Sequence, residues 1–387
     1  MKQHKMKLIL ILLVTFLFPI QAFAENDTHI ELPTVNSGSA VLLDANTGAI
    51  LYEKNSKMKM YPASLTKMAT AIYAIETGNL EDIVTVSANA YDAGGSSVYL
   101  EEGEQITLKR LIQGMLINSG NDAGVAIAEH LDGNMEDFAE SINMFLNEKI
   151  GTEQTHFSNP HGLFDEEHYT TAYDLALITQ YALKNPTFRE IFGTKSLKWD
   201  GEKWDTTIYN HHLLVKGEIP YDGITGGKTG FVQESRYTLS TSAEQGEMSL
   251  IAIVLKAEQN EIAYEDTVEL LDYGFENFVI KEVSDEKPFI GEKNERYLLE
   301  KPLKYTIKKN EEVQMELSDQ GVLQVFGEDG RHLATKKLKK DDPKEAMSTR
   351  TEVNYSDPKK KSSIPAIVVI IIAGIGLFYL RKKIKNR

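Results

Sequence analysis

The stretch YPASLTKMAT (residues 61–70) sets Ser64 three residues before Lys67, just after a proline and at the head of an apolar run. One helical turn brings residues i and i+3 to the same face, so the Lys67 ammonium can reach the Ser64 hydroxyl. A helix N-terminus also directs free N–H groups and partial positive charge toward Ser64. A hydroxyl acts as a nucleophile only beside a base, and a lysine is a base only if burial or nearby cations lower its pKa. The spacing alone does not settle this, because Ser-x-x-Lys occurs four times. Ser56–Lys59 falls in a charged loop, and Ser284–Lys287 and Ser356–Lys359 fall in polar linkers. Only Ser64 opens an apolar helical pattern. Taken singly, the pair also reads as a capping serine and a solvated lysine.

Two further stretches bear on the choice. INSGNDAG (residues 117–124) carries Ser119-Gly120-Asn121 between two helical patterns. GITGGKTGF (residues 223–231) carries Lys228-Thr229-Gly230, expected just before a strand. Singly these read as a helix cap and a glycine-rich turn. In the order Ser-x-x-Lys, Ser-x-Asn, Lys-Thr-Gly they form the motif set of β-lactamases and penicillin-binding proteins.

The chain has 387 residues, of which 42% are hydrophobic, enough for a large domain and a smaller one. A net charge of −15 argues against a nucleic-acid partner. The absence of cysteine excludes disulfides, thiol nucleophiles and thiolate metal sites. Residues 1–24 read as a secretory signal: Lys2, Lys5 and Lys7, an apolar stretch, then Ala22-Phe23-Ala24. Residues 364–380 are apolar throughout and span roughly 26 Å as a helix, at the short limit for a bilayer. A basic tail follows at 381–387, expected to be cytoplasmic, so the bulk of the chain is expected outside the cell membrane.

Between these ends, residues 39–56 suggest a hairpin around Asp44–Gly48, and helices are expected near 64–76, 107–117, 122–131, 135–149 and 172–184. A second hairpin turns at residues 244–247, before a helix over about 264–278. Strands, then helices, then strands predict an α/β layered domain whose antiparallel sheet draws on both ends of the segment. Its expected bounds are 30–279. Short alternating segments predict a small β-rich domain at 281–340, and residues 341–363 read as a disordered polar stalk.

Over about residues 30–345 the chain resembles the low-molecular-mass penicillin-binding proteins, the serine D-alanyl-D-alanine carboxypeptidases. The resemblance includes LINSGNDAGVAIAEHLDG and THFSNPHGLFDEEHYTTAYDLALI as well as the three motifs. It implies a β-lactamase/transpeptidase-like fold, with Ser64 at the N-terminus of a central helix. It implies that Ser64 attacks the carbonyl between the last two D-alanines of a peptidoglycan pentapeptide and that Lys67 takes its proton. Ser119 would relay a proton to the leaving D-alanine, and Asn121 would bind the substrate amide. Lys228, staying charged, and Thr229 of the Lys-Thr-Gly230 motif would hold the terminal carboxylate. Backbone N–H groups of Ser64 and Phe231 would form the oxyanion hole. The implied partners are stem peptides ending in D-Ala-D-Ala, β-lactams bound covalently, and the bilayer through the C-terminal segment; no cofactor is expected.

Some positions depart from the family pattern. Val232 stands where threonine is frequent, QESRY (residues 233–237) replaces a stretch of small residues, and YNHHLL has histidines where asparagine is common. His156, His161, His168, His211 and His212 invite a metal, yet no His-Glu-x-x-His pattern occurs, and the family segment accounts for His156 and His161 as structural. Two other readings remain. A serine β-lactamase would want a Glu-x-x-x-Asn motif, which Asp165, Glu166 and Glu167 do not begin. A non-catalytic scaffold on the same fold should have lost one of Ser64, Lys67, Ser119 or Lys228.

Overall fold

The computed structural model describes residues 31–341. The expected signal at 1–24, the stalk beyond Asp341, the span at 364–380 and the basic tail lie outside the described residues. Among the described residues no helix is long and apolar enough to cross a membrane.

Five strands form the main sheet: β1 (Ser39–Asp44), β2 (Ile50–Lys54), β3 (Ile224–Val232), β4 (Arg236–Gln245) and β5 (Met248–Ala257). Their order is β2-β1-β5-β4-β3, and every neighbouring pair is antiparallel. β1 and β5 are apolar on both faces because both faces are covered. Side chains alternate across a strand. Val41, Leu43, Ile251 and Ile253 therefore join one buried cluster, while Ala40, Leu42, Leu250 and Ala252 join the other.

The first cluster belongs to a helical layer: α1 (Thr66–Thr77), α2 (Leu108–Ile117), α3 (Asn121–Asp132), α4 (Met135–Phe145), α5 (Ala172–Ala182) and α6 (Pro186–Phe192). The second lies under α7 (Asn260–Asn277). From Thr66 to Ala74 every residue of α1 is buried, so this helix runs through the interior. Lys67 is thereby carried into the core. α7 begins four residues before its expected start, with Gln259 as its N-cap, and α4 ends at Phe145, where a wider turn over Leu146–Ile150 continues the chain. Two small two-stranded sheets were not expected from the sequence, Ile83–Thr85 with Gln105–Thr107 and Ser196–Asp200 with Asp205–Tyr209.

After α7 the chain enters β6 (Phe278–Val283), which pairs with β7 (Leu303–Lys308). The expected boundary near residue 280 thus falls inside a strand. β8 (Val313–Leu317), β9 (Val322–Gly327) and β10 (His332–Lys337) form a further antiparallel sheet. Val283, Tyr305, Ile307, Leu323 and Val325 build its separate small core. A buried polar contact ties this region to the main sheet. Thr306 Oγ1 donates to Asp44 Oδ2 at 2.7 Å and lies 2.6 Å from Thr47 Oγ1. Burial raises the Asp44 pKa, and the Thr306 hydroxyl and the N–H groups of Asn46 and Thr47 hold it down.

Thr306→Val keeps the shape and leaves the buried carboxylate short of a donor. It should lower stability by about 1–3 kcal/mol, read from the urea midpoint, whereas Thr306→Ser should recover most of the loss. An unchanged midpoint for the valine variant would show that this contact does not hold the two regions together.

Candidate active site

The three motifs meet at one place. Pro62 leads into a short 3-10 turn, Ala63–Leu65, that precedes α1. Ala63 has φ +49, a conformation that non-glycine residues seldom adopt, and it presents Ser64 at the turn. Lys67, one helical turn later, is wholly buried. Its Nζ lies 2.8 Å from Ser64 Oγ and donates to the carbonyl oxygen of His161 at 2.7 Å.

Ser119 sits between α2 and α3, also with positive φ (+63), and is buried. Lys228 enters from β3, and its Nζ is 3.1 Å from Ser119 Oγ and 2.9 Å from the carbonyl oxygen of Thr229. Asn121 opens α3, and its Nδ2 donates to Gly94 O at 2.6 Å. Its Oδ1 is buried without a hydrogen-bond partner among the described residues. A buried acceptor left open in this way suits an incoming N–H.

Burial is the main force on both lysines. It pushes Lys67 well below the usual lysine value, the Lys228 ammonium lowers it further, and Asp122 partly opposes this. Burial also lowers Lys228, to about 7. Near neutrality the free site holds it poised between its two states, because no carboxylate pairs with it among the described residues.

Lys228-Thr229-Gly230 lies inside β3, where a position just before a strand was expected. The glycines serve close approach, not a turn. A Cβ at Gly227 would stand 2.4 Å from the His212 ring, and one at Gly230 would stand 2.5 Å from Thr238 Oγ1 and 2.9 Å from the Ser64 nitrogen. Thr238 Oγ1 donates to the Pro62 carbonyl at 3.0 Å, which fastens β4 to the turn that carries Ser64. β3 is the sheet's edge, so one side of its backbone has no strand partner. Phe231 is half exposed there.

Several supporting roles are not legible in the sequence. Asp122 accepts from the backbone N–H groups of Val98 (3.0 Å) and Leu100 (3.2 Å), fixing the loop beside Asn121. His168 Nδ1 accepts from Ser158 N at 3.1 Å, so its Nε2 carries the proton and donates to Thr66 Oγ1 at 2.8 Å. Thr66 in turn donates to the Ala63 carbonyl at 2.9 Å. His161, His168 and His212 are all held to about 3, chiefly by burial, and are neutral imidazoles. These residues lie in the stretches YPASLTKMAT, INSGNDAG, YNHHLL and THFSNPHGLFDEEHYTTAYDLALI, whose spacing does not say what their side chains and carbonyls do.

Gly162, with φ +83, passes so close to the Ser64 turn that a Cβ would stand 1.9 Å from the Ala63 oxygen. Gly133 has a similar φ of +86 with nothing within 4 Å. Gly162→Ala should therefore lower the thermal midpoint well beyond Gly133→Ala, because it adds a backbone clash to the strain of positive φ. Equal midpoints would mean that the contact with Ala63 is unimportant.

Comparison with known proteins follows the same lines. Residues 26–259 match the peptidase S11 family, described as D-alanyl-D-alanine carboxypeptidase. The chain is 36% identical over 281 residues to the D-alanyl-D-alanine carboxypeptidase DacF of Bacillus subtilis, covering 70% of each chain. It is 33% identical over 280 residues to DacD of Escherichia coli, covering 67% of this chain and 70% of that one. Among solved structures, penicillin-binding protein 5 of Haemophilus influenzae superposes with a TM-score of 0.69 at 28% identity, covering 80% of this chain and 98% of that chain. Penicillin-binding protein 6B of E. coli gives 0.67 at 29% identity, covering 80% and 96%. The helix-flanked antiparallel sheet, the meeting of the three motifs and these matches lead to one statement: the chain belongs to the D-alanyl-D-alanine carboxypeptidase family.

Proposed function

We propose that this protein is a serine-type D-alanyl-D-alanine carboxypeptidase that removes the terminal D-alanine of peptidoglycan pentapeptides through an acyl-enzyme on Ser64. The observation that carries the reading is the buried Lys67 amine, 2.8 Å from Ser64 Oγ and held well below the ordinary lysine pKa. Such an amine accepts a proton near neutrality, which an ordinary lysine does not.

In the acylation step Ser64 Oγ forms a bond to the carbonyl carbon between the last two D-alanines while its proton passes to Lys67 Nζ. The negative charge on the former carbonyl oxygen is met by the N–H groups of Ser64 and Phe231. The C–N bond then breaks, and the departing amine takes a proton relayed through Ser119. Water attacks the resulting ester, Ser64 recovers its proton, and the shortened peptide leaves as a carboxylic acid. Asn121 Oδ1, otherwise unpartnered, accepts the substrate N–H. Lys228 and Thr229 receive the terminal carboxylate, and the arriving negative charge favours the ammonium form of Lys228. Penicillin, an acyl donor with its own carboxylate, acylates the same serine and stays bound. Export by residues 1–24 and anchoring by residues 364–380 would place this chemistry on the outer face of the cell membrane. Support for that location comes from the apolar runs and their charged flanks.

Ser64→Ala should abolish covalent labelling by a fluorescent penicillin, while Ser56→Ala, whose Oγ is bound instead to Glu53 at 2.6 Å, should keep it. Lys67→Arg retains a cation but cannot give up its proton, so acylation should fall by about three orders of magnitude, a span typical of a lost base. Near-normal labelling of either Ser64→Ala or Lys67→Arg would refute the assignment. The pH profile has a definite sign. Lys67 must be neutral and Lys228 charged, so kcat/KM should rise as Lys67 loses its proton and fall as Lys228 loses its own, with the alkaline limb near 7 in the free enzyme. The alkaline limb of kcat should lie higher, because bound carboxylate holds the Lys228 proton. A kcat/KM that is flat from pH 6 to pH 9 would contradict the roles given to the two lysines.

A further inference from the structure

The acylation proposed above depends on where one N–H points. The backbone N–H of Ser64 is one of the two that meet the oxyanion, so the Ala63–Ser64 peptide unit must turn its nitrogen toward β3. The nitrogen does face that strand, since a Cβ at Gly230 would stand 2.9 Å from it. The local chain does not secure this pose. Ala63 holds a φ of +49, a conformation that persists in a non-glycine residue only when its surroundings impose it. A peptide unit is planar and trans, so its C=O and N–H point in opposite directions. Whatever fixes the Ala63 oxygen therefore fixes the direction of the Ser64 N–H.

Thr66 supplies two donors to that oxygen, its backbone N–H and its hydroxyl, the latter at 2.9 Å. The backbone donor belongs to the turn itself, whereas the hydroxyl is steered from a distant segment. His168 Nε2 donates to Thr66 Oγ1 at 2.8 Å, and His168 Nδ1 accepts from Ser158 N at 3.1 Å. Every hydrogen in the chain is thereby directed: Ser158 N–H to Nδ1, Nε2–H to Oγ1, Oγ1–H to the Ala63 oxygen. Thr66 and His168 are buried, so water does not compete for these bonds. The imidazole is stacked on Phe157, with ring centroids 4.8 Å apart and planes 14° from parallel. Backbone pairs brace the segment next to it. His156 and Tyr169 exchange hydrogen bonds, both at 2.9 Å, and Met60 and Thr170 do so at 2.7 and 2.9 Å. The second pair ties the His168 segment to the residue four before Ser64. Because burial holds His168 to about 3, the arrangement persists throughout the neutral range.

We propose that His168 is a positioning residue for the oxyanion site: through Thr66 Oγ1 it holds the Ala63 carbonyl and so aims the Ser64 N–H at the oxygen of the attacked carbonyl. Neither side chain makes or breaks a bond in the reaction. Without the hydroxyl the Ala63 oxygen keeps only the donor of its own turn, and the peptide unit is free to tilt. The Ser64 N–H counts most when negative charge develops on the oxygen, so a tilt raises the barrier and leaves substrate binding nearly as it was. The proposal rests on the carboxypeptidase reading and adds to it what orients one of its donors.

The test uses the full-length protein in detergent, with D-alanine release from a pentapeptide ending in D-Ala-D-Ala measured well below the thermal midpoint of each variant. Thr66→Val keeps the shape and removes the hydroxyl, and His168→Leu removes both ring nitrogens. Each should lower kcat/KM by about tenfold to a hundredfold, mainly through kcat. Thr66→Ser restores a hydroxyl, and His168→Gln offers one donor and one acceptor, so both should recover most of the loss. A peptide boronic acid, which forms a tetrahedral adduct on Ser64 with one oxygen in the oxyanion site, should lose affinity by the same factor as kcat/KM. Adding His168→Leu to Thr66→Val should cost nothing further, because the histidine acts through the hydroxyl. Should Thr66→Val not fold, the two His168 variants carry the kcat/KM and boronic acid comparison alone. The proposal is overturned by kcat/KM within about twofold of the parent in His168→Leu, by a fall in kcat/KM with unchanged boronic acid affinity, or by a full His168→Leu loss in the Thr66→Val background. A parent that releases no D-alanine would overturn the carboxypeptidase reading and leave the positioning to penicillin acylation rates of the same variants. There a fall by about tenfold or more supports it, and rates within about twofold of the parent overturn it.

Discussion

A lysine amine buried in the middle of the protein, 2.8 Å from a serine hydroxyl, is the constraint around which this fold is arranged. An unpaired ammonium is costly to bury, so the group gives up its proton instead. The second buried amine, Lys228, is held to about 7, against an ordinary 10.5. That difference corresponds to roughly 5 kcal/mol at full burial. The sign follows from the direction of the shift. The cost is absent above the ordinary lysine pKa, grows as pH falls toward 7, and is fully present below it. Two apolar layers around the sheet, and a central helix buried on every side, supply the stability that offsets it. A carboxylate placed beside Lys228 would relieve part of that cost, so the same burial that weakens the empty site would strengthen its hold on an anionic ligand.

The neighbourhood of Lys67 then follows from what the amine needs. It needs an acceptor that is not a carboxylate, since a carboxylate would restore the proton. The His161 carbonyl serves, 2.7 Å away. Gly162 allows that backbone to run against Ala63, and His168, through Thr66, clamps the same turn from the other side. Asp122, whose charge acts on Lys67, is occupied by the N–H groups of Val98 and Leu100 and serves the loop beside Asn121. The edge position of β3 leaves a free strand flank facing Ser64, along which an extended peptide can lie.

Much of this was legible in the sequence, and what was not has identifiable causes. The central strands and helices were readable because apolar runs and breaks mark them, and the three motifs were readable because their spacing is specific. The placement of Lys228-Thr229-Gly230 was misread because three glycines in five residues look like a turn. They are instead the positions where β3 must approach Phe192, His212 and the Ser64 nitrogen. The short strands Ile83–Thr85 and Ser196–Asp200 carry too few residues to show an alternation. The His161 carbonyl was invisible because any residue has one, and the open Asn121 Oδ1 depends on Nδ2 being taken by Gly94. Such features arise only when distant segments meet.

The most direct test of the central claim is the protonation state of Lys67. The protein can be labelled with carbon-13 at the lysine ε-carbons, with Lys67 assigned by comparison with Lys67→Arg, and titrated by NMR without ligand. The account predicts that the Lys67 resonance reports a neutral amine at neutral pH, with a midpoint far below the ordinary lysine value of 10.5. A Lys67 signal that stays charged through neutrality and titrates near 10.5 would contradict it.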